Sequence, residues 1–108
     1  MTAIPSISIM DLKAKYDAKE SFVLVDVREP SEYARCRLPG SKLIPLGELP
    51  ARIGELDASA QTIVHCRSGG RSAKAVRLLM EKGFSRVFNL SGGILAWAEQ
   101  ADPSMEVD

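Results

Sequence analysis

Residues 62–83 read TIVHCRSGGRSAKAVRLLMEKG, and this stretch decides how the chain is built. It opens on a short apolar run, TIVHC (62–66), whose β-branched residues suit a strand buried on both faces. It closes on RSAKAVRLLMEK (71–82), where Ala75, Val76, Leu79 and Met80 share one helical face and Lys74, Arg77, Glu81 and Lys82 stay mainly outside. Gly83 is placed to end that helix in a left-handed turn. The spacing therefore predicts a strand, a tight loop and a helix. FVLVDV (22–27) and RVFNL (86–90) are runs of the same kind, and KLIP (42–45) is a shorter one. Ser8 can cap a helix with Asp11 in its first turn and Ile9, Leu12 and Tyr16 at helical spacing. Leu49, Ile53 and Leu56 share a face of another helix, and a last one spans about Ile94 to Ala101. Strands alternating with helices imply an α/β, doubly wound parallel sheet with helices on both faces. Ligands of such sheets sit beyond the carboxyl ends of the strands, so Cys66 and Asp26 are expected to open onto one edge.

The 108 residues suit one domain, 1–108, with a core large enough to need neither disulfide nor metal. Its ordered part is expected at about 5–101. The tail from 102 to 108, which has no pattern, is expected to be extended or loose. Fourteen basic and fourteen acidic side chains cancel, which argues against a nucleic-acid surface or an anionic membrane as partner. No apolar run approaches the ~20 residues of a membrane span. The first sixteen residues lack the basic start and apolar core of a signal peptide, so the chain is expected in the cytoplasm. Cys36 and Cys66 form neither a zinc pattern nor a C-x-x-C pair, and in a reducing compartment both are free thiols. No metal and no cofactor is expected.

The loop Cys66–Arg71 lies over a helix N-terminus, where unpaired N–H groups attract anions. Gly69 and Gly70 allow successive amides to curl inward as a nest. Arg71 is out of place in a first turn, because a cation is disfavoured there. It needs a carboxylate, a bound anion or both. The same surroundings favour the thiolate of Cys66, whose free pKa of ~8.5 falls to ~3.5–7.5 in comparable sites. A nucleophile facing an anion cradle suits attack on an anionic substrate. No lysine completes a P-loop and no G-x-G-x-x-G marks a dinucleotide. Two chemistries remain, phosphoryl transfer through a cysteinyl phosphate and sulfur transfer through a cysteinyl persulfide. The phosphatase loop reads C-x5-R, whereas here the count is C-x4-R. A tighter loop favours the smaller guest, and the spacing points to sulfur.

Four motifs in order give the chain a resemblance over essentially its full length. LVDVREPSEY, LPGSKLIP, HCRSGGRSAKA and GFSRVFNLSGGILAWA resemble the successive segments of a single-domain rhodanese, a sulfurtransferase. The end, GGILAWAEQADPSM, is also similar to rhodanese domains that close adenylyltransferase–sulfurtransferase fusions. The resemblance implies five parallel strands with helices on both sides. It implies that Cys66 is the persulfide-forming nucleophile and that Arg67, Ser68, Gly69, Gly70 and Arg71 form the loop around the outer sulfur. The expected donor is a small anion such as thiosulfate, with another persulfide protein or mercaptopyruvate also fitting. A thiol, cyanide or a sulfur-carrier protein is the expected acceptor. Some members lack the cysteine and serve in docking or regulation, which leaves a non-catalytic relay module as the alternative. A cysteine-based phosphatase or arsenate reductase stands behind it. Where relatives usually read G-H-I-P-G, this chain has Cys36, Arg37, Leu38, Pro39 and Gly40.

Asp26 and Arg28 are expected to form a buried pair bracing the active loop, with Asp26 also a candidate to orient loop amides or Arg71. Glu29 and Glu32 read as a solvated helix start. Strand alternation turns His65 to the face opposite Cys66. Ser72 is expected either to bond the thiolate or to satisfy a backbone group. Trp97 is expected in the core, and Cys36 is expected to be structural, with a resolving thiol as the alternative.

Overall fold

A computed structural model describes residues 4–107. Five parallel strands form one sheet, β1 (Ser6–Ile7), β2 (Val23–Asp26), β3 (Lys42–Leu43), β4 (Thr62–His65) and β5 (Val87–Leu90), in the order β1-β5-β4-β2-β3. Five α-helices join and follow them: α1 (Ile9–Asp17), α2 (Pro30–Arg35), α3 (Leu49–Arg52), α4 (Gly70–Glu81) and α5 (Gly93–Gln100). The doubly wound α/β sheet expected from the sequence is the fold observed.

Alternation along the strands sorts the core into two layers. Val25, Val64 and Val87 pack with Ala75, Val76 and Leu79 of α4 and with Leu49 of α3. Leu24, Ile63 and Leu90 pack on the other side with Ile9 and Leu12 of α1 and Ile94 and Trp97 of α5. Burying such side chains contributes roughly 1.5–3 kcal/mol each before chain entropy is subtracted. The connections β2 to β3 and β4 to β5 run outward in opposite directions. Adjacent β2 and β4, in register at Asp26 and His65, therefore make the topological switch point.

Local signals end the elements where the sequence places them. The Ser8 side chain accepts the Asp11 amide at 3.1 Å and caps α1. Gly83, at φ +93°, follows α4. Three segments differ from expectation. β1 is a two-residue strand at the sheet edge, too short to show a period. The face Leu49–Ile53–Leu56 belongs to no continuous helix. A four-residue α3 lies between 3₁₀ turns at Leu46–Glu48 and Ile53–Glu55, with Pro50 opening it and Gly54 beyond it. The tail also departs from the loose segment expected. Asp102 accepts the amide of Ser104 at 3.2 Å and its hydroxyl at 2.5 Å, and the Met105 amide donates to the Asp102 carbonyl at 3.0 Å. That turn brings Met105 and Val107 back onto the α1/α5 layer.

Candidate active site

Cys66 lies just beyond the end of β4, on the α4 side of the sheet, and is 1% exposed. The chain then turns through Arg67, Ser68 and Gly69 into α4. Gly69 is the N-cap at φ +119°, a backbone region that side chains disfavour. This turn sends the Gly69 amide back to Cys66 Sγ at 3.1 Å, with the amides of Ser68 and Ser72 also directed at the sulfur. Ser72 Oγ lies 3.4 Å from the same atom. Burial pushes the Cys66 thiol up, but the Ser72 hydroxyl and the amides of Ser72, Gly69 and Ser68 outweigh it and hold the group below its ordinary value. Ser68 and Gly70 are exposed, so the nest opens to solvent.

A second helix start grips the same loop from behind. The amides of Ile94 and Leu95, at the beginning of α5, donate to the carbonyls of Cys66 and Arg67, each at 3.0 Å. Close approach requires Gly93, at φ +61°, because a Cβ there would lie 2.5 Å from the Arg67 carbonyl oxygen and 2.6 Å from that of Cys66. With its carbonyls tied to α5, the loop directs its amides toward the sulfur. In the sequence, SGG (91–93) is marked only by its place before the last helix. A second glycine pair after a second strand, matching the pair at 69–70, was the available signal.

Arg71 finds the carboxylate it requires on α2. Its Nη1 and Nη2 donate to Glu32 Oε1 and Oε2 at 2.7 and 3.0 Å, a bidentate pair joining the two helices over the switch point. Glu32 is thus not the solvated residue expected. It also accepts the Glu29 amide at 3.0 Å in a capping box. Arg71 chiefly, with the Glu29 amide and the charge of Arg28 assisting against partial burial, lowers the Glu32 carboxyl to about 2.

Asp26 and Arg28 form the buried ion pair expected, with Nη2 to Oδ2 at 2.8 Å and the side chains 0% and 1% exposed. Arg28 also donates to the Cys36 carbonyl at 2.7 Å and so anchors the chain leaving α2. The expectation that Asp26 orients loop amides or Arg71 needs correction. Asp26 shares the sheet face of Leu24, away from Cys66, and its side chain meets Arg28 and His65. His65 lies on that face too, as alternation requires. Burial lowers its pKa despite Asp26, and its Nε2, 3.7 Å from Asp26 Oδ2, has no hydrogen-bond partner. Ser72 lies within reach of both expected partners, its Oγ 3.4 Å from the sulfur and 3.2 Å from the Gly69 carbonyl. Asn89 of β5 was not singled out in the sequence, yet its Oδ1 lies 2.5 Å from Ser72 Oγ. Arg67 is half-buried beside α5 and the tail. Cys36 is half-buried against the α1/α5 layer.

Among the described residues no helix is long and apolar enough to cross a membrane, and no group of three or more His, Cys, Asp or Glu could hold a metal ion.

The chain is similar to known proteins in both sequence and structure. A sulfurtransferase of Allochromatium vinosum is 40% identical over 84 residues, covering 78% of each chain. The probable adenylyltransferase/sulfurtransferase MoeZ of Mycobacterium tuberculosis is 33% identical over 102 residues, covering 93% of this chain but only 26% of that protein. Among solved structures, a rhodanese-like domain protein from Staphylococcus aureus superposes with a TM-score of 0.84 at 31% identity, covering 97% of this chain and 99% of that one. The family model for the rhodanese-like domain matches residues 8–100. That match runs from the cap of α1 to the end of α5, and the chain belongs to the rhodanese-like domain family.

Proposed function

We propose that the chain is a sulfurtransferase working through a persulfide on Cys66, with thiosulfate or a similar anion as donor. The observation that carries this reading is the convergence of loop amides and the Ser72 hydroxyl on a sulfur whose ionised form they favour. The thiolate attacks the outer sulfur of thiosulfate and forms an S–S bond. The donor's own S–S bond breaks, and sulfite leaves with its electron pair. The resulting persulfide anion is stabilised by the amide nest of Ser68, Gly69 and Ser72. A thiol, cyanide or a sulfur-carrier protein then attacks the outer sulfur and returns Cys66 as thiolate. No external electron is needed. Arg67 and Arg71 supply positive charge at the rim. The Asp26–Arg28 pair supports the site indirectly by holding the β2–α2 turn.

The loop count supports sulfur over phosphoryl transfer, since four residues separate Cys66 from Arg71. An open nest leaves room for a protein acceptor, and the likeness to one quarter of a larger two-activity protein favours delivery to such a partner. Two free thiols suit a reducing compartment such as the cytoplasm.

Mass spectrometry after thiosulfate treatment tests the reading. A one-sulfur adduct is expected on Cys66 and absent from Cys66→Ala. Modification of Cys36 alone would overturn the assignment. Turnover of an aryl phosphate without sulfur loading would replace it with a phosphatase. If Cys66→Ser retained the biological function, the chain would be a docking module instead.

A further inference from the structure

We propose that Asn89 is a positioning residue for Cys66, its carboxamide and the Ser72 hydroxyl forming a hydrogen-bond relay whose direction reverses when the sulfur ionises. Ser72 Oγ has three neighbours able to accept its single proton. Asn89 Oδ1 is at 2.5 Å, the Gly69 carbonyl at 3.2 Å and Cys66 Sγ at 3.4 Å. The shortest contact takes the proton, so Ser72 donates to Asn89 and turns a lone pair toward the sulfur. That arrangement suits a thiol, whose S–H can donate to Ser72. The hydroxyl favours the thiolate only once its proton, in place of that lone pair, faces the sulfur.

Asparagine resolves the conflict because its amide presents an acceptor on one side and a donor on the other. Turned over, Nδ2 donates to Ser72 Oγ and the hydroxyl proton swings to the sulfur. No proton passes along the relay; the thiol proton leaves to solvent and Ser72 keeps its own. The cost is small. The turn gives up one long bond, Asn89 Nδ2 to the Gly69 carbonyl at 3.4 Å, and that carbonyl keeps the Ala73 amide at 3.0 Å. The Asn89 backbone stays fixed between β1 and β4, opposite Ser6 and Val64. Arg71 feels the charge of Cys66 while paired with Glu32, and it is the same in every Asn89 variant, so it does not replace the relay. Arg67 lines the groove beside α5 and the tail, His65 and Asp26 occupy the opposite face, and α5 meets the loop through backbone amides.

The test is the pH dependence of Cys66 alkylation by iodoacetamide, read peptide by peptide so that Cys36 is separate. It depends on the thiolate and not on sulfur transfer, so failure of the sulfurtransferase reading and failure of this one are distinguishable. Asn89→Asp can only accept. Its midpoint is expected to rise by about one pH unit, or about tenfold slower alkylation below both midpoints. Asn89→Ala removes acceptor and donor together and is expected to move the midpoint by less than half that. In a Ser72→Ala background the effect of Asn89→Asp should fall by at least half. An undiminished effect there would mean charge acting through space and would overturn the relay. Equal shifts in Asn89→Ala and Asn89→Asp would mean a merely structural role and would overturn it too. The wild-type chain gives a check that survives misfolding of any variant. The Asn89 side-chain NH2 signals in ¹⁵N-labelled protein should titrate with the Cys66 midpoint, and flat signals would refute the proposal.

Discussion

Two glycine pairs follow two neighbouring strands on the same edge of the sheet, and they serve one peptide from opposite sides. Gly69–Gly70 after β4 starts α4 and sends amides to the Cys66 sulfur. Gly92–Gly93 after β5 starts α5, whose amides hold the Cys66 and Arg67 carbonyls. The first pair shapes the nest, and the second immobilises the backbone that the nest is made from. Steric room separates them further. A Cβ on Gly70 meets nothing within 4 Å, whereas one on Gly93 runs into the carbonyls of two loop residues. A binding loop on a small scaffold is thus only as rigid as the element behind it.

The comparison breaks most severely at Gly93. Gly93→Ala combines a left-handed backbone with a clash against main-chain atoms, and neither neighbour can swing aside. We expect a loss of about 3 kcal/mol or more in urea unfolding, together with slowed alkylation of Cys66. Unchanged stability would mean that α5 and the loop separate freely. Gly69→Ala should cost less, about 1–3 kcal/mol, because strain at φ +119° acts with no contact closer than 3.9 Å. Its specific effect should be a higher Cys66 pKa as the Gly69 amide turns away.

Between α2 and α4, Arg71→Ala tests the clamp by acid. The folded Glu32 pKa, about 2, lies below its unfolded value of roughly 4.3. The unfolded chain therefore binds the proton first on acidification. The stabilisation is present above pH ~4.3 and is lost as pH falls toward 2. Unfolding by urea across that window should be less pH-dependent in Arg71→Ala than in wild type; identical slopes would deny the clamp a role in stability. At pH 7 the cost should stay within about 1 kcal/mol, since both partners are partly solvated. Sulfur loading should nonetheless fall, because a rim charge is lost. Gly70→Ala should have the smallest effect, within about 0.5 kcal/mol in thermal unfolding. A large loss there would show the two members of the first pair to be equally constrained.

Strand runs, helix caps and glycine stops lie close together in the chain, and they allowed the alternating fold, the strand–loop–helix around Cys66 and the need for a partner to Arg71 to be read from sequence. Period-two alternation also determined the opposite faces of His65 and Cys66. What the sequence could not determine were meetings between segments distant in the chain. Glu32 meets Arg71 only because the switch point brings α2 over α4, although its local pattern suits a solvated capping residue equally well. Asn89 reaches Ser72 because β5 lies beside β4, and Gly93 meets the loop because α5 starts on the same edge. The two-residue β1 gains its identity from pairing with β5, and the tail gains its place from apolar surface on the α1/α5 layer. Local chemistry declared which residues were reactive and which were mismatched. Packing decided what each of them faces, because contact across the sheet depends on strand order, which no single segment encodes.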